Sequence, residues 1–229
     1  MLDSKLFPET YDSSRVRFRD DLARAQTMWR DARLQSHSVD ATEDATIDWI
    51  AAHAERCDRL AIFTTGEHGV EGYVGAAMLK IFMDEFLLRL DPATTGILLV
   101  HTINPWGMKH KRRTNAHNVD LNRNFLYHAQ PDPSLNPDYA RLEKMLLPRG
   151  RVRNLTASKL AFLARLLWHN ARDGAAKIRH TTLLGQAAFP KGIFYGGDAI
   201  QDEVRVLMNL LREWIGAYDQ IVHLDMHTG

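Results

Sequence analysis

Residues Leu60-Ala61-Ile62-Phe63-Thr64-Thr65 make a short, apolar, β-rich run that Gly66 closes, the pattern of a buried strand. Just beyond it comes His68-Gly69-Val70-Glu71-Gly72. A His and a Glu held on the turn leaving a strand can bind one divalent cation through an imidazole nitrogen and a carboxylate oxygen. Such a pair leaves room for a third protein ligand and a water, the make-up of a catalytic rather than a structural zinc site. The same spacing also suits a helix N-terminus with polar caps, and by itself it does not separate the two.

Two further apolar runs read as strands. Residues 96–103 (Gly-Ile-Leu-Leu-Val-His-Thr-Ile) are stopped by Asn104-Pro105. Residues 219–226 alternate, so that His223, Asp225 and His227 share one face. His227 stands at the carboxyl end of its strand, as His68 does at its own, and ligands in open α/β sheets gather beyond the carboxyl ends of strands. His68, Glu71 and His227 therefore form a candidate His₂Glu metal set. His223, two residues deeper, is its rival. Asp225 either orients a ligand imidazole or is satisfied by backbone donors.

Between these runs the pattern is helical. Ser13 and Ser14 can cap a helix running to about Gln35, and residues 72–90 read as a long apolar helix ending before Pro92. Further helices are expected near 137–147, 155–172 and 200–216. Ala45, Ile47 and Trp49 alternate with polar residues as in a short strand, with a helix as the competing reading. Residues 104–136 lack periodicity and carry basic and amide residues, as a binding loop does. The alternation of strands and helices predicts an α/β fold, a mostly parallel or mixed sheet with helices on both faces. It is expected to form a single domain over residues 1–229, with residues 1–42 as a helical lead-in.

Charge and composition narrow the function. A net charge of +1 creates no global field for nucleic acid or an anionic membrane. The basic cluster Lys109, Lys111, Arg112 and Arg113 has no aromatic stacking motif beside it, so no nucleic acid partner is expected. A single cysteine, Cys57, excludes an internal disulfide and a multi-cysteine zinc site. Residues 1–11 have no apolar core, so no secretory signal is expected, and no membrane span is expected either. Cytoplasmic residence is the default expectation.

Taken in order, His68-x-x-Glu71, Arg113-x-Asn-Ala, Val119-Asp-Leu-Asn-Arg-Asn-Phe125 and Asp225-Met-His-Thr-Gly229 resemble the zinc carboxypeptidase superfamily. Gly-x-His-Gly-Val-Glu-Gly, the Asn104-Pro105-Trp106-Gly107 turn and Pro190-Lys-Gly-Ile-Phe-Tyr-Gly-Gly197 resemble a bacterial branch of it whose function is uncharacterised. The resemblance implies Zn²⁺ held by His68, Glu71 and His227. It implies Asn122 and Arg123 on the substrate's terminal carboxylate, and Arg113 polarising the scissile carbonyl. Arg123 suits its role because a guanidinium fork binds a carboxylate through two parallel hydrogen bonds; its competing role is structural, pinning a long loop.

Members of that superfamily carry a catalytic Glu on a late strand, after the third zinc ligand, and this sequence ends two residues after His227. The C-terminal part of the fold, general base included, is therefore expected to be missing. The expected activity is that of a zinc-dependent metallopeptidase-like hydrolase cleaving an amide or peptide bond beside a free carboxylate, with water on the metal as nucleophile. Its substrate would be a small peptide or an acyl amino acid. The alternatives are an N-acyl amino acid deacylase resembling aspartoacylase and the desuccinylases, and a non-catalytic zinc-binding remnant. Oligomeric state is not legible.

Overall fold

A computed structural model describes residues 6–126, 131–147 and 150–228. Gly229, the last residue of the Asp-Met-His-Thr-Gly motif, and Met1–Lys5 lie outside the described residues. The chain forms two compact units, Met1–Ala116 with Gln201–Gly229, and His117–Ile200.

The first unit is built on a five-stranded sheet of β1 (Arg33–Asp40), β2 (Ala45–Ala52), β3 (Arg59–Thr65), β4 (Thr95–His101) and β5 (Gln220–Met226), in the order β1-β2-β4-β3-β5. β3 runs parallel to β4 and to β5, while β2 is antiparallel to both β1 and β4. The mixed α/β sheet expected from the pattern is thus present. β5 lies at an edge of the sheet, paired with β3. In the parallel register of β3 and β5, Ile62 stands opposite His223 and Thr64 opposite Asp225.

Side-chain alternation gives the sheet two apolar faces. On one, Ile50, Ala52, Phe63, Ile97 and Leu99 pack with Phe18, Ala25 and Trp29 of α1 (Tyr11–Gln26) and with Leu79 of α2 (Gly72–Ile81). On the other, His53, just past β2, stacks on Trp214 at 4.0 Å between ring centroids; Trp214 belongs to the last of the chain's helices, Asp202–Ile215. The central strand β4 is buried throughout, as its unbroken apolar run requires.

Several boundaries differ from the expectation. α1 starts one turn earlier, because Thr10 is the cap and Ser13 closes a capping box with it. It ends at Gln26, and residues expected to continue it form β1 instead. β1 is a half-exposed, polar edge strand, so nothing in its own hydrophobic pattern declares it; pairing with β2 makes it a strand. The 72–90 helix is helical through Arg89 but loosens after Ile81 into a wider turn at Phe82–Phe86 and a tighter one at Leu87–Arg89.

Pro105–Lys109 forms a short helix, α3, inside the stretch expected to be irregular. The second unit holds α4 (Tyr139–Leu146), α5 (Leu155–Asp173) and α6 (Ala175–Leu183), so that Asp202–Ile215 is α7. α6 was not expected; Gly174, at φ +83°, breaks the helical run and starts a new one. Among the described residues no helix is long and apolar enough to cross a membrane.

Candidate metal centre

The candidate site is assembled at the carboxyl ends of β3 and β5. After Thr65 the chain turns through Gly66, at φ +64°, where a Cβ would meet Thr102 Oγ1 at 1.8 Å. Gly69 passes so close to α3 that a Cβ would stand 2.1 Å from the Gly107 carbonyl carbon. These two glycines are what allow the His68 loop to lie flat against the Asn104–Gly107 turn. Asn104 ties the pieces together: its N–H donates to Gly66 O at 2.9 Å, its Oδ1 accepts from Gly107 N–H at 2.8 Å, and its Nδ2 donates to Arg113 O at 3.2 Å. Gly69 and Val70 N–H groups donate to the carbonyls of Arg113 and Arg112. The basic stretch is therefore stitched by its backbone to the turn that carries His68.

That stitching brings Arg113 to the proposed ligands. Its Nη2 lies 2.5 Å from His68 Nε2, and its Nη1 lies 3.8 Å from Glu71 Oε1. A guanidinium only donates, so His68 Nε2 presents its lone pair and the imidazole is neutral at that atom. Glu71 also accepts from Thr228 N–H through Oε2 at 2.9 Å, which fastens the end of β5 to the loop after β3. The His68 and His227 rings meet edge to face at 5.0 Å between centroids. His68 is buried and Glu71 mostly so.

His227 lies between two carboxylates. Asp225 Oδ2 pairs with Nδ1, and Asp225 Oδ1 accepts from Thr64 Oγ1 at 2.7 Å. Thr64 Oγ1 also bonds His223 Nε2 at 2.9 Å, so the rival histidine is turned to β3. Burial lowers the pKa of His223, with Asp225 acting in the opposite direction. On the other side of the His227 ring, Glu67 Oε2 lies 3.0 Å from Nε2. Ligand atoms of Glu67, Asp225 and His227 all lie within 4.8 Å of one another. Sequence spacing did not recommend Glu67; only the register of β5 against β3 carries His227 to it.

Asn122 and Arg123 belong to the second unit. Asn122 is exposed. Arg123 donates through Nη2 to Leu183 O at 2.8 Å and lies over the Phe194 ring at 5.8 Å. Gly185, at φ +77°, leaves space for this arginine, since a Cβ there would meet its Cδ at 2.8 Å. Asn124 Nδ2 donates to Gly196 O and Ala199 O, giving the Gly196-Gly197 motif a structural use.

Among the described residues the ligand atoms that come together as a cation would need are those of Glu67, Asp225 and His227; His68 and Glu71 stand beside that group and are not part of it. A cationic group already lies against His68 and Glu71 in the form of Arg113. His227 Nδ1 lies against the Asp225 carboxylate, an arrangement that leaves the other imidazole nitrogen for a metal. Its Nε2 is buried and makes no hydrogen bond of normal geometry, despite the nearby Glu67.

A family model described as protein of unknown function (DUF2817) matches residues 7–229. The chain belongs to the DUF2817 family. The matched span of this DUF2817 member takes in the whole candidate centre, from Glu67 to His227. No curated protein matches it. Among solved structures it is similar to a metallo-carboxypeptidase from Burkholderia cenocepacia, at 18% identity over 59% of this chain and 38% of that one, with a TM-score of 0.35. It is also similar to a metallo-carboxypeptidase from Pseudomonas aeruginosa in complex with (2-guanidinoethylmercapto)succinic acid, at 20% identity over 57% of this chain and 36% of that one, with a TM-score of 0.34. The chain spans less than half the length of each of these two solved structures.

Proposed function

We propose that this chain carries the metal-binding part of a zinc-dependent, carboxypeptidase-like hydrolase that cleaves an amide bond beside a free carboxylate. The observation that supports it best is that Arg113 lies against both His68 and Glu71, with the ring of His227 5.0 Å from that of His68 between centroids. His68 and His227 supply imidazole nitrogens and Glu71 a carboxylate, a His₂Glu set. Asp225 fixes the ring of His227 and its tautomer. Zinc held there supplies a Lewis acid for a carbonyl and lowers the pKa of water toward about 7.

Arg113 gives up His68 and Glu71 when a metal takes them, and its fork then serves the carbonyl oxygen of the substrate. Asn122 and Arg123 are proposed to take the terminal carboxylate, which Arg123 can do in a planar, bidentate manner. The test is metal analysis of the purified chain and its His68→Ala variant, followed by hydrolysis of dipeptides and acylated amino acids with free and amidated C-termini. The reading expects zinc near one per chain, lost in the variant, and a preference for the free acid that Arg123→Lys weakens. Equal zinc in both proteins rejects the ligand set, and equal turnover of acid and amide rejects the clamp.

A further inference from the structure

We propose that α5 of the second unit lies on an anionic membrane surface, its apolar side in the lipid and its basic flanks at the headgroups. The proposal is independent of the metal centre.

α5 is turned inside out for a helix in water. Its one buried residue is His169, whose Nδ1 lies 3.4 Å from Oδ2 of the partly buried Asp173. Leu160, Leu163, Leu167 and Trp168 are instead 62%, 49%, 66% and 55% exposed. At the helical period, Leu160, Leu163, Ala164, Leu167 and Ala171 form one stripe on the side opposite His169. A helix face left to water is polar, and an apolar stripe of this kind has the composition of a covered face. Lys159 borders the stripe on one side. Trp168, Arg165 and Arg172 border it on the other, with the Arg172 guanidinium over the Trp168 ring at 4.7 Å.

Charge indicates what covers it. The net charge of +1 is spread unevenly: residues 150–183 contain seven Lys and Arg and one acidic residue, Asp173. Beside the stripe, Lys144, Arg151 and Arg165 line a cavity of about 480 Å³ together with Ser158 and Phe162, and among the described residues no carboxylate lines it. Three cations around a recess suit a phosphate headgroup, and the leucine stripe suits acyl chains. Helices with Lys and Arg beside a Leu, Phe and Trp face lie in the plane of the membrane interface. Their long basic side chains reach out to the headgroups, and Trp sits at the boundary. A second copy fits less well, because it sets the basic flanks of two helices against each other.

The test is co-sedimentation of the full chain with vesicles of phosphatidylcholine alone and of phosphatidylcholine mixed with phosphatidylserine. Wild type is expected to bind the mixed vesicles at about 0.1 M salt and to leave them at about 1 M, where the Debye length is short. Leu163→Ser combined with Leu167→Ser is expected to weaken binding about 10-fold or more. Arg151→Gln combined with Arg165→Gln is expected to weaken it about 10-fold. All four side chains are exposed, and matching circular dichroism spectra check the fold of both variants. Arg56→Gln, on the first unit, is expected to change nothing. Equal binding to both kinds of vesicle, no binding to either at the lower salt, or binding that neither α5 variant weakens overturns the proposal. Without vesicle binding, a dimer that the leucine variant abolishes assigns the stripe to a second copy, and tight binding of an acidic amphipathic peptide assigns it to a protein partner; each overturns the membrane reading.

Discussion

Arg113 Nη2 stands 2.5 Å from His68 Nε2, so a fixed side-chain cation and a metal ion draw on the same nitrogen. Replacing Arg113 with Met removes the competitor and its repulsion of a divalent ion. Zinc affinity is expected to rise about fivefold, roughly 1 kcal/mol for partly screened charges a few ångströms apart. Hydrolysis, if Arg113 polarises the carbonyl, is expected to fall at the same time. Chelator competition reads the first effect; weaker zinc binding in the variant would show that Arg113 supports the ligands instead of competing with them.

The loop that carries His68 depends on Gly69. Gly69→Ala puts a methyl group against the backbone of Gly107, which no side-chain movement relieves. A loss of about 2–4 kcal/mol is expected, in the range of severe overpacking, together with loss of zinc binding because His68 is displaced. Urea unfolding and zinc content check the two parts, and an unchanged midpoint would mean that the loop does not lie as close to α3 as it does here.

Stability is expected to fall in mild acid through His101. This residue is fully buried on β4; its Nε2 shares a 2.8 Å hydrogen bond with Ser14 Oγ, and its ring stacks on Phe18. Burial lowers its pKa to about 4, opposed by Asp48 and assisted by Arg17 and Arg15. Because the folded pKa lies below the ordinary value of 6.5, the unfolded chain binds the proton first as pH falls. The contribution is therefore complete above about pH 6.5 and is lost progressively down to about pH 4, amounting to about 3 kcal/mol. Urea unfolding of wild type and His101→Phe between pH 7 and 4 should show a smaller acid loss in the variant. Parallel curves would assign the loss to other groups.

The exposed edge of the sheet is a liability. On β5, Val222 is 60% and Leu224 45% exposed, and the strand pairs with β3 on one side among the described residues. Apolar edge strands promote association. Val222→Lys is expected to lower self-association, seen as a shift to smaller species by light scattering at high concentration, with a melting temperature within about 2–4 °C of wild type for a surface change below about 1 kcal/mol. Undiminished association would place the sticky surface elsewhere.

Much of the sheet was legible because its strands announce themselves locally. β3 and β4 are apolar runs ended by Gly66 and by Asn104-Pro105, and β5 alternates with period two. β1 was not legible: Arg33–Asp40 is polar and half exposed, and only its ladder with β2 makes it extended. α6 was hidden by its continuity with α5, which Gly174 breaks. At the site, His68, Glu71, Arg113 and His227 were named from spacing and motif order. Glu67 was legible only as a conceivable stand-in for the general base, because its contact with His227 depends on a residue far away in sequence.

What the amino-acid sequence determined by itself was therefore the set of local devices: which runs are buried strands, where glycine permits a turn, and which imidazoles and carboxylates stand at strand ends. These follow from side-chain periodicity and backbone sterics, which act over a few residues. Only the tertiary structure decided that β5 joins β3 at the edge of the sheet, that the backbone of the Asn104 turn brings Arg113 onto His68, and that Glu67 meets the buried nitrogen of His227. Those relationships depend on strand order and register, which are set by the burial of whole faces against α1, α2 and α7, and no short stretch of sequence contains that information.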